Sequence, residues 1–157
     1  MLNSTKVTTF ALLGFGLLTA ATIAGEKKIP VDQLPKPVAS AFKAKFPEVT
    51  IKNVIEESED GKITYEIESL NKAGMSLDAI LKPDGEIVTV EKEIKPADLP
   101  AAVAPAVAAK FPKGTITKAE AVTSGKKTTY EAVVKKADGK STTLIFDQDG
   151  KFVEEEK

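Results

Sequence analysis

The sequence predicts an α+β protein made of two copies of one unit, each a helix packed on a four-stranded antiparallel meander. Three observations carry that prediction. First, the stretch from Leu34-Pro35 through Val38-Ala39 to Lys45-Phe46-Pro47 comes back as Leu99-Pro100, Val103-Ala104 and Lys110-Phe111-Pro112, an offset of about 65 residues. Residues 29–92 slide onto 94–157 with about two dozen matches in 64 positions and no gap. Second, each copy opens on apolar residues at spacings of three and four, the period of a helix. Third, each then changes to an alternation of two broken by Gly-containing turn dipeptides, the pattern of short hairpin-connected strands.

Residues 1–24 precede both copies and read as a secretory signal peptide. One lysine, Lys6, is followed by an apolar run from Phe10 to Ala21 and small residues to Ala24. A run of about a dozen is too short to span a bilayer as a helix, which takes about 20 residues. Each copy then begins its helix. In the first, Leu34, Val38, Ala41, Phe42 and Phe46 share one face, answered by Leu99, Val103, Ala106, Val107 and Phe111 in the second. Asp32 and Asp98 stand where a first turn could be capped, and the prolines after Phe46 and Phe111 end the helix. Pro105, several positions into the second helix, is expected to bend it or delay its start.

After the helices, Ile63, Tyr65 and Ile67 alternate with Thr64, Glu66 and Glu68, and Tyr130, Ala132 and Val134 alternate with Thr129, Glu131 and Val133. Asp60-Gly61, Ala73-Gly74 and Asp84-Gly85, with Ser124-Gly125, Asp138-Gly139 and Asp149-Gly150, divide the remainder into four strands per copy. Gly125 lies one residue further from Tyr130 than Gly61 does from Tyr65, which suggests a bulge or a longer turn in the second copy. Residues 90–97 read as a short Lys/Glu-rich link. A disulfide-free unit of this size is marginal alone, so joining the two sheets edge to edge into one of eight strands is the economical arrangement.

Composition removes several chemistries. The chain has no Cys, His, Arg or Trp, so it has no disulfide, thiol nucleophile, thiolate metal site or imidazole base. Loss of the signal takes Lys6 and leaves 21 lysines against 23 acids, a balance without the basic stripe that nucleic acid requires. Carboxylate chemistry survives this filter. Glu66 with Asp78 could approach one another on neighbouring strands, as a carboxylate-driven hydrolase would need, but a single sheet layer supplies no cleft. Asp147-Gln148-Asp149-Gly150 has too few ligands for a calcium loop and reads as a hairpin turn. Glu154-Glu155-Glu156-Lys157 reads as a solvated tail.

The combination of an exported chain, L-P-x-x-V, K-F-P, a T-x-Y-E strand and a D-G turn, present twice, resembles the PepSY-like family related to beta-lactamase-inhibitor protein. The resemblance implies a helix packed on a four-stranded sheet, often in tandem, in a periplasmic or secreted protein, and implies a protein partner, with peptidases as the partner class. The inhibitors' own binding residues do not carry over. They depend on a disulfide and an aromatic-rich face, and this chain has no Cys, no Trp and two Tyr.

The sheet face opposite the helices is the surface expected to bind. It comprises Thr64, Glu66, Glu68, Ser76, Asp78 and Ile80 in the first copy and Thr129, Glu131, Val133, Ser141, Thr143 and Ile145 in the second. The expected function is that of a non-enzymatic periplasmic or secreted protein that binds another protein or an envelope component through this face. The alternative is a soluble envelope protein of structural or stress-related role without a dedicated ligand. No cofactor, metal, nucleic acid or, once the signal is removed, membrane is expected to take part.

Overall fold

The computed structural model describes residues 25–156; the expected signal peptide, residues 1–24, and Lys157 lie outside them. One antiparallel sheet holds nine strands in chain order. They are β1 (Gly25–Lys28), β2 (Thr50–Glu59), β3 (Lys62–Leu70), β4 (Ser76–Leu81), β5 (Ile87–Ile94), β6 (Thr115–Ser124), β7 (Lys127–Lys135), β8 (Ser141–Asp147) and β9 (Phe152–Glu156). Helix α1 (Lys36–Lys45) lies between β1 and β2, and α2 (Val103–Lys110) between β5 and β6, each preceded by a turn of 3-10 helix, Val31–Gln33 and Pro96–Asp98.

The sheet has nine strands rather than the expected eight, and register explains the addition. In β1, Lys27 and Lys28 pair with Glu56 and Ile55 of β2. In β5, 65 residues on, Lys92 and Glu93 pair with Ala121 and Glu120 of β6. The added strand is therefore the counterpart of the second half of β5. The residues expected to form a link supply β5 itself, which pairs with β4 on one side and β6 on the other. Nor is the acidic C-terminal run a solvated tail. Phe152–Glu156 pair with β8, Glu155 accepts from Lys110 at 2.9 Å, and the Lys110 ammonium sits 4.0 Å from the centre of the Phe152 ring.

Each helix lays its predicted apolar face on the sheet. Leu34, Val38 and Phe42 pack with Val54, Tyr65, Ile67, Leu77, Ala79 and Leu81 in one core. Leu99, Val103 and Val107 pack with Ala119, Ala132, Val134, Leu144 and Phe146 in the other. Burying a side chain such as Val38 or Phe42 contributes about 1.5–3 kcal/mol. Asp32 and Asp98 do not cap these helices: both lie in the 3-10 turns, and α1 follows Pro35 with no side-chain cap at all. Pro35 and Pro37 instead provide fixed φ angles where a helix needs no N–H donors. Pro105 delays α2 rather than bending it. The helix starts at Val103, two positions later than α1 in the repeat frame, which leaves the proline in its first turn.

The bulge or longer turn expected at the first hairpin of the second copy is absent; the bulge at Ile116/Lys118 is matched at Ile51/Asn53 in the first copy. Two-residue loops join Glu59 to Lys62 and Ser124 to Lys127, so the strands match in register, and only the place of the glycine within the turn changes. Asp60 and Gly61 both take positive φ, 50° and 75°, whereas in the second copy the positive φ falls on Gly125 at 58°.

The two Asp-Gly turns before β5 and β9 carry a second constraint, since they tuck under the start of a helix. Gly85 has φ 91°, and a Cβ there would stand 2.7 Å from the Pro37 carbonyl oxygen; at Gly150, φ 77°, it would stand 2.8 Å from the Ala102 Cβ. Gly61, at φ 75°, has open space around it. Gly85→Ala is therefore expected to lose about 2–4 kcal/mol, from left-handed backbone plus overpacking, and Gly61→Ala about 1–2 kcal/mol from the backbone alone. Urea unfolding of the two variants measures the difference; equal losses would contradict the helix contact.

Candidate functional site

Side chains alternate across a strand, and the pairing partners fix which of them share a face. Ala79 faces α1 and stands opposite Val90 and Ile67; Ala119 faces α2 and stands opposite Ile94 and Ala132. Since Val90 and Ile94 are on the same side of β5, both helices occupy one face of the sheet. The other face carries all twelve residues predicted from the sequence: Thr64, Glu66, Glu68, Ser76, Asp78, Ile80, Thr129, Glu131, Val133, Ser141, Thr143 and Ile145. Tyr65 and Tyr130 point to the helix side, Tyr65 buried and Tyr130 packed against the second core.

The register then adds residues the sequence reading did not place. Glu91 and Glu93 on β5 and Lys118, Glu120 and Val122 on β6 belong to the same face. Two rows of carboxylates result. Glu68, Asp78 and Glu91 stand directly opposite one another on β3, β4 and β5, and Glu93, Glu120 and Glu131 do so on β5, β6 and β7. Like charges in such positions repel. The sequence signal was available in the alternation of Glu91 and Glu93, but it was hidden by reading those residues as a link.

Four of the carboxylates have partners. Asn53 donates to Glu68, and the Ser69 backbone N–H donates to Asp78 at 3.0 Å. Ser76 donates to Glu93 through its backbone N–H at 3.0 Å and its hydroxyl at 3.2 Å, and Lys118 donates to Glu120 at 2.6 Å. Glu66, Glu91 and Glu131 make no hydrogen bond or ion pair with any described residue. Glu66 is nevertheless only 4 % exposed, set between Ile55 of β2 and the buried Ile80 of β4.

Burial raises the carboxyl pKa of all three, and neighbouring acids add to it. Glu66 rises from 4.5 to about 7 with Glu57, Glu68, Asp78 and Glu26 around it, and Glu131 to about 7 beside Glu156 and Glu120, against the opposing Lys118. Glu91 reaches about 8, with Glu131, Glu120, Asp78 and Glu66 nearby. Asp78 rises from 3.8 to about 6, burial and the acids outweighing the Ser69 N–H and Lys118. For Lys118, burial favours the neutral amine, but the bond to Glu120 and the acids around it win and raise its pKa.

The Glu66 and Asp78 pair weighed for catalysis is not directly opposed: Glu66 faces Ile80, and Asp78 faces Glu68. The Asp147 to Gly150 segment is a turn, with the Asp147 carboxylate accepting from the backbone N–H groups of Asp149 and Lys151 at 3.0 and 2.9 Å. Among the described residues no group of three or more acids is arranged to hold a metal ion, and no helix is long and apolar enough to cross a membrane.

Raised carboxyl pKa values mean that the folded protein binds more protons than the unfolded chain between about pH 4.5 and 8. Their stabilising contribution is complete below 4.5 and is lost as pH rises through 6 to 8. Stability is therefore expected to fall from pH 5 to pH 8, with Glu91→Gln flattening the slope. Urea midpoints at constant ionic strength test this, and a midpoint that climbs over that interval would contradict the account.

Comparison with known proteins gives the following. The profile of a family described as "Putative beta-lactamase-inhibitor-like, PepSY-like" matches residues 22–82 and 79–154. No curated protein matches the chain. Among solved structures, a "putative periplasmic" protein of Bacteroides eggerthii is 22 % identical, with a TM-score of 0.63 over 78 % of this chain and 87 % of its own. A DUF2874 family protein of Bacteroides uniformis is 21 % identical, with a TM-score of 0.61 over 77 % and 87 %. A BLIP-like protein of Bacteroides fragilis is 19 % identical, with a TM-score of 0.58 over 77 % and 84 %. At these identities the likeness establishes a shared fold.

Proposed function

The chain belongs to the PepSY-like, beta-lactamase-inhibitor-like family, and from that premise we propose that it is a non-enzymatic periplasmic or secreted protein that binds another protein through the sheet face opposite its helices. The observation that carries the reading is the continuity of that face. It runs unbroken across the β5 and β6 junction, so the two copies contribute one surface rather than two small ones. Its composition supports contact, since the half-buried Ile55, Val122 and Val133 lie among its carboxylates, and apolar groups that meet solvent together among polar ones mark interaction surfaces. The inhibitor-like description of the family and the periplasmic description of a structural neighbour agree with a role outside the cytoplasm. A peptidase is the partner class the family suggests.

Crosslinking in envelope extract, with the captured proteins identified by mass spectrometry, tests the proposal. Val133→Lys, a change on the half-buried part of the face beside Lys118, is expected to abolish saturable capture without unfolding the protein. Capture that survives Val133→Lys would move the binding surface elsewhere. The absence of any saturable partner would favour a structural role in the envelope.

A further inference from the structure

We propose that the partner recognised by this face presents a basic polypeptide segment, whose lysine or arginine side chains are received by Glu66, Glu91 and Glu131. This rests on the binding role just argued and gives that partner its chemistry.

The first ground is charge sorting. The whole chain is nearly neutral, at -1, but this face gathers Glu66, Asp78, Glu91, Glu93, Glu120 and Glu131 in adjoining positions around Lys118. A face lined by one sign of charge attracts the other.

The second ground is Glu66. It is buried to all but 4 %, lacks a hydrogen-bonding or ionic partner, and is walled by Ile55 and Ile80. Burying a carboxylate without a partner is unfavourable. Every buried side-chain polar atom that is shut off from solvent among the described residues does have a partner, so the Glu66 oxygens keep their remaining exposure toward the open face. A cation arriving there would complete a site that the fold leaves half made.

The third ground is spacing. Glu66, Glu91 and Glu131 lie on alternate strands, β3, β5 and β7. Glu66 is level with Ile80 and Thr89; Glu91 is two residues beyond Thr89 and level with Val122 and Thr129; Glu131 is two residues beyond Thr129. Two strand spacings across and two residues along give a Cα separation on the order of 12 Å at each step, and twice that from Glu66 to Glu131. An extended polypeptide covers that distance in three to four residues. A single metal ion cannot address three groups so far apart, whereas a chain carrying a cation at every third or fourth residue can. Val122, half-buried among the acids, offers apolar surface to the aliphatic stems of lysine and arginine.

The test titrates the full chain, at low salt and pH 8, with a nine-residue peptide of serine and glycine bearing lysine at its first, fifth and ninth positions. The same peptide with glutamate at those positions, spermine, and calcium are the comparisons. Saturable one-to-one binding of the lysine peptide is expected. The combined variant Glu66→Gln, Glu91→Gln, Glu131→Gln should weaken it roughly tenfold. A control that neutralises three exposed acids outside the face, and so removes at least as much charge, Asp32→Asn, Glu48→Gln, Asp98→Asn, should change it less than about twofold. The face variant removes repulsion and is expected to melt no lower than the parent, so folding does not confuse the result. Equal loss in face and control variants would reduce the effect to net charge and overturn the proposal. So would spermine or calcium binding as tightly as the peptide, or no preference for lysine over glutamate. If the peptide fails while capture sensitive to Val133→Lys persists, the basic segment is wrong and the binding face stands.

Discussion

Six residue pairs between β5 and β6, from Thr89 with Ser124 to Ile94 with Ala119, decide what kind of molecule this is. Backbone pairing there turns two small units into one sheet and removes two edges that would otherwise need protection. It also sets parity. Because alternate residues face opposite ways, the pairing puts Val90 and Ile94 on the helix side and Glu91 and Glu93 on the other. A slip by one residue would turn the two glutamates toward the helices and bring an apolar edge to the open face. The hydrophobic pattern of β5 therefore holds both helices on one side and leaves the other uncovered by them.

The same parity creates the electrostatic tension on the open face. Cross-strand neighbours in a sheet have Cβ atoms roughly 5 Å apart, so once Glu93 and Glu120 are paired in register they cannot avoid one another. The protein relieves part of this with local donors: Ser76 for Glu93, Lys118 for Glu120, Asn53 for Glu68. It leaves Glu66, Glu91 and Glu131 to hold protons near neutral pH instead. The arrangement is tolerable because the stability comes from the other face, where Val38, Phe42, Val103 and Val107 are buried against the sheet.

The elements that a residue-by-residue pattern governs were legible in the sequence. Val38 and Phe42 declare a helix face, Tyr65 and Ile67 a strand, Asp84-Gly85 a turn, and the twelve open-face residues followed from alternation alone. What escaped depends on pairing between distant segments. Nothing local to Gly25–Lys28 marks it as a strand; its four residues are all exposed, and it exists because β2 offers it an edge. Residues 90–97 looked like a link because their charges mask a period-two pattern whose apolar partners, Ala119 and Ala121, lie in the other copy. Asp32 and Asp98 have the right chemistry for caps but the wrong geometry, since the proline beside each helix start had already fixed the backbone there or a 3-10 turn intervened.

Comparison of the two copies along the open face separates what the fold requires from what it leaves to function. Thr64, Glu66, Ser76 and Ile80 recur as Thr129, Glu131, Ser141 and Ile145, but Glu68 becomes Val133, Asp78 becomes Thr143 and Asn53 becomes Lys118. Those three changes are not needed for packing, because none of the six side chains enters either core. Their effect is to remove acids from β7 and β8, where Glu131 alone remains, while Glu154 and Glu156 of β9 stand opposite Ile145 and Thr143 on the same face. A duplicated scaffold that used its copies independently would have no reason to run opposed acids across the seam, as Glu93, Glu120 and Glu131 do. Here the seam is the one place both copies reach, which makes a single ligand spanning it the arrangement this distribution of charge suits.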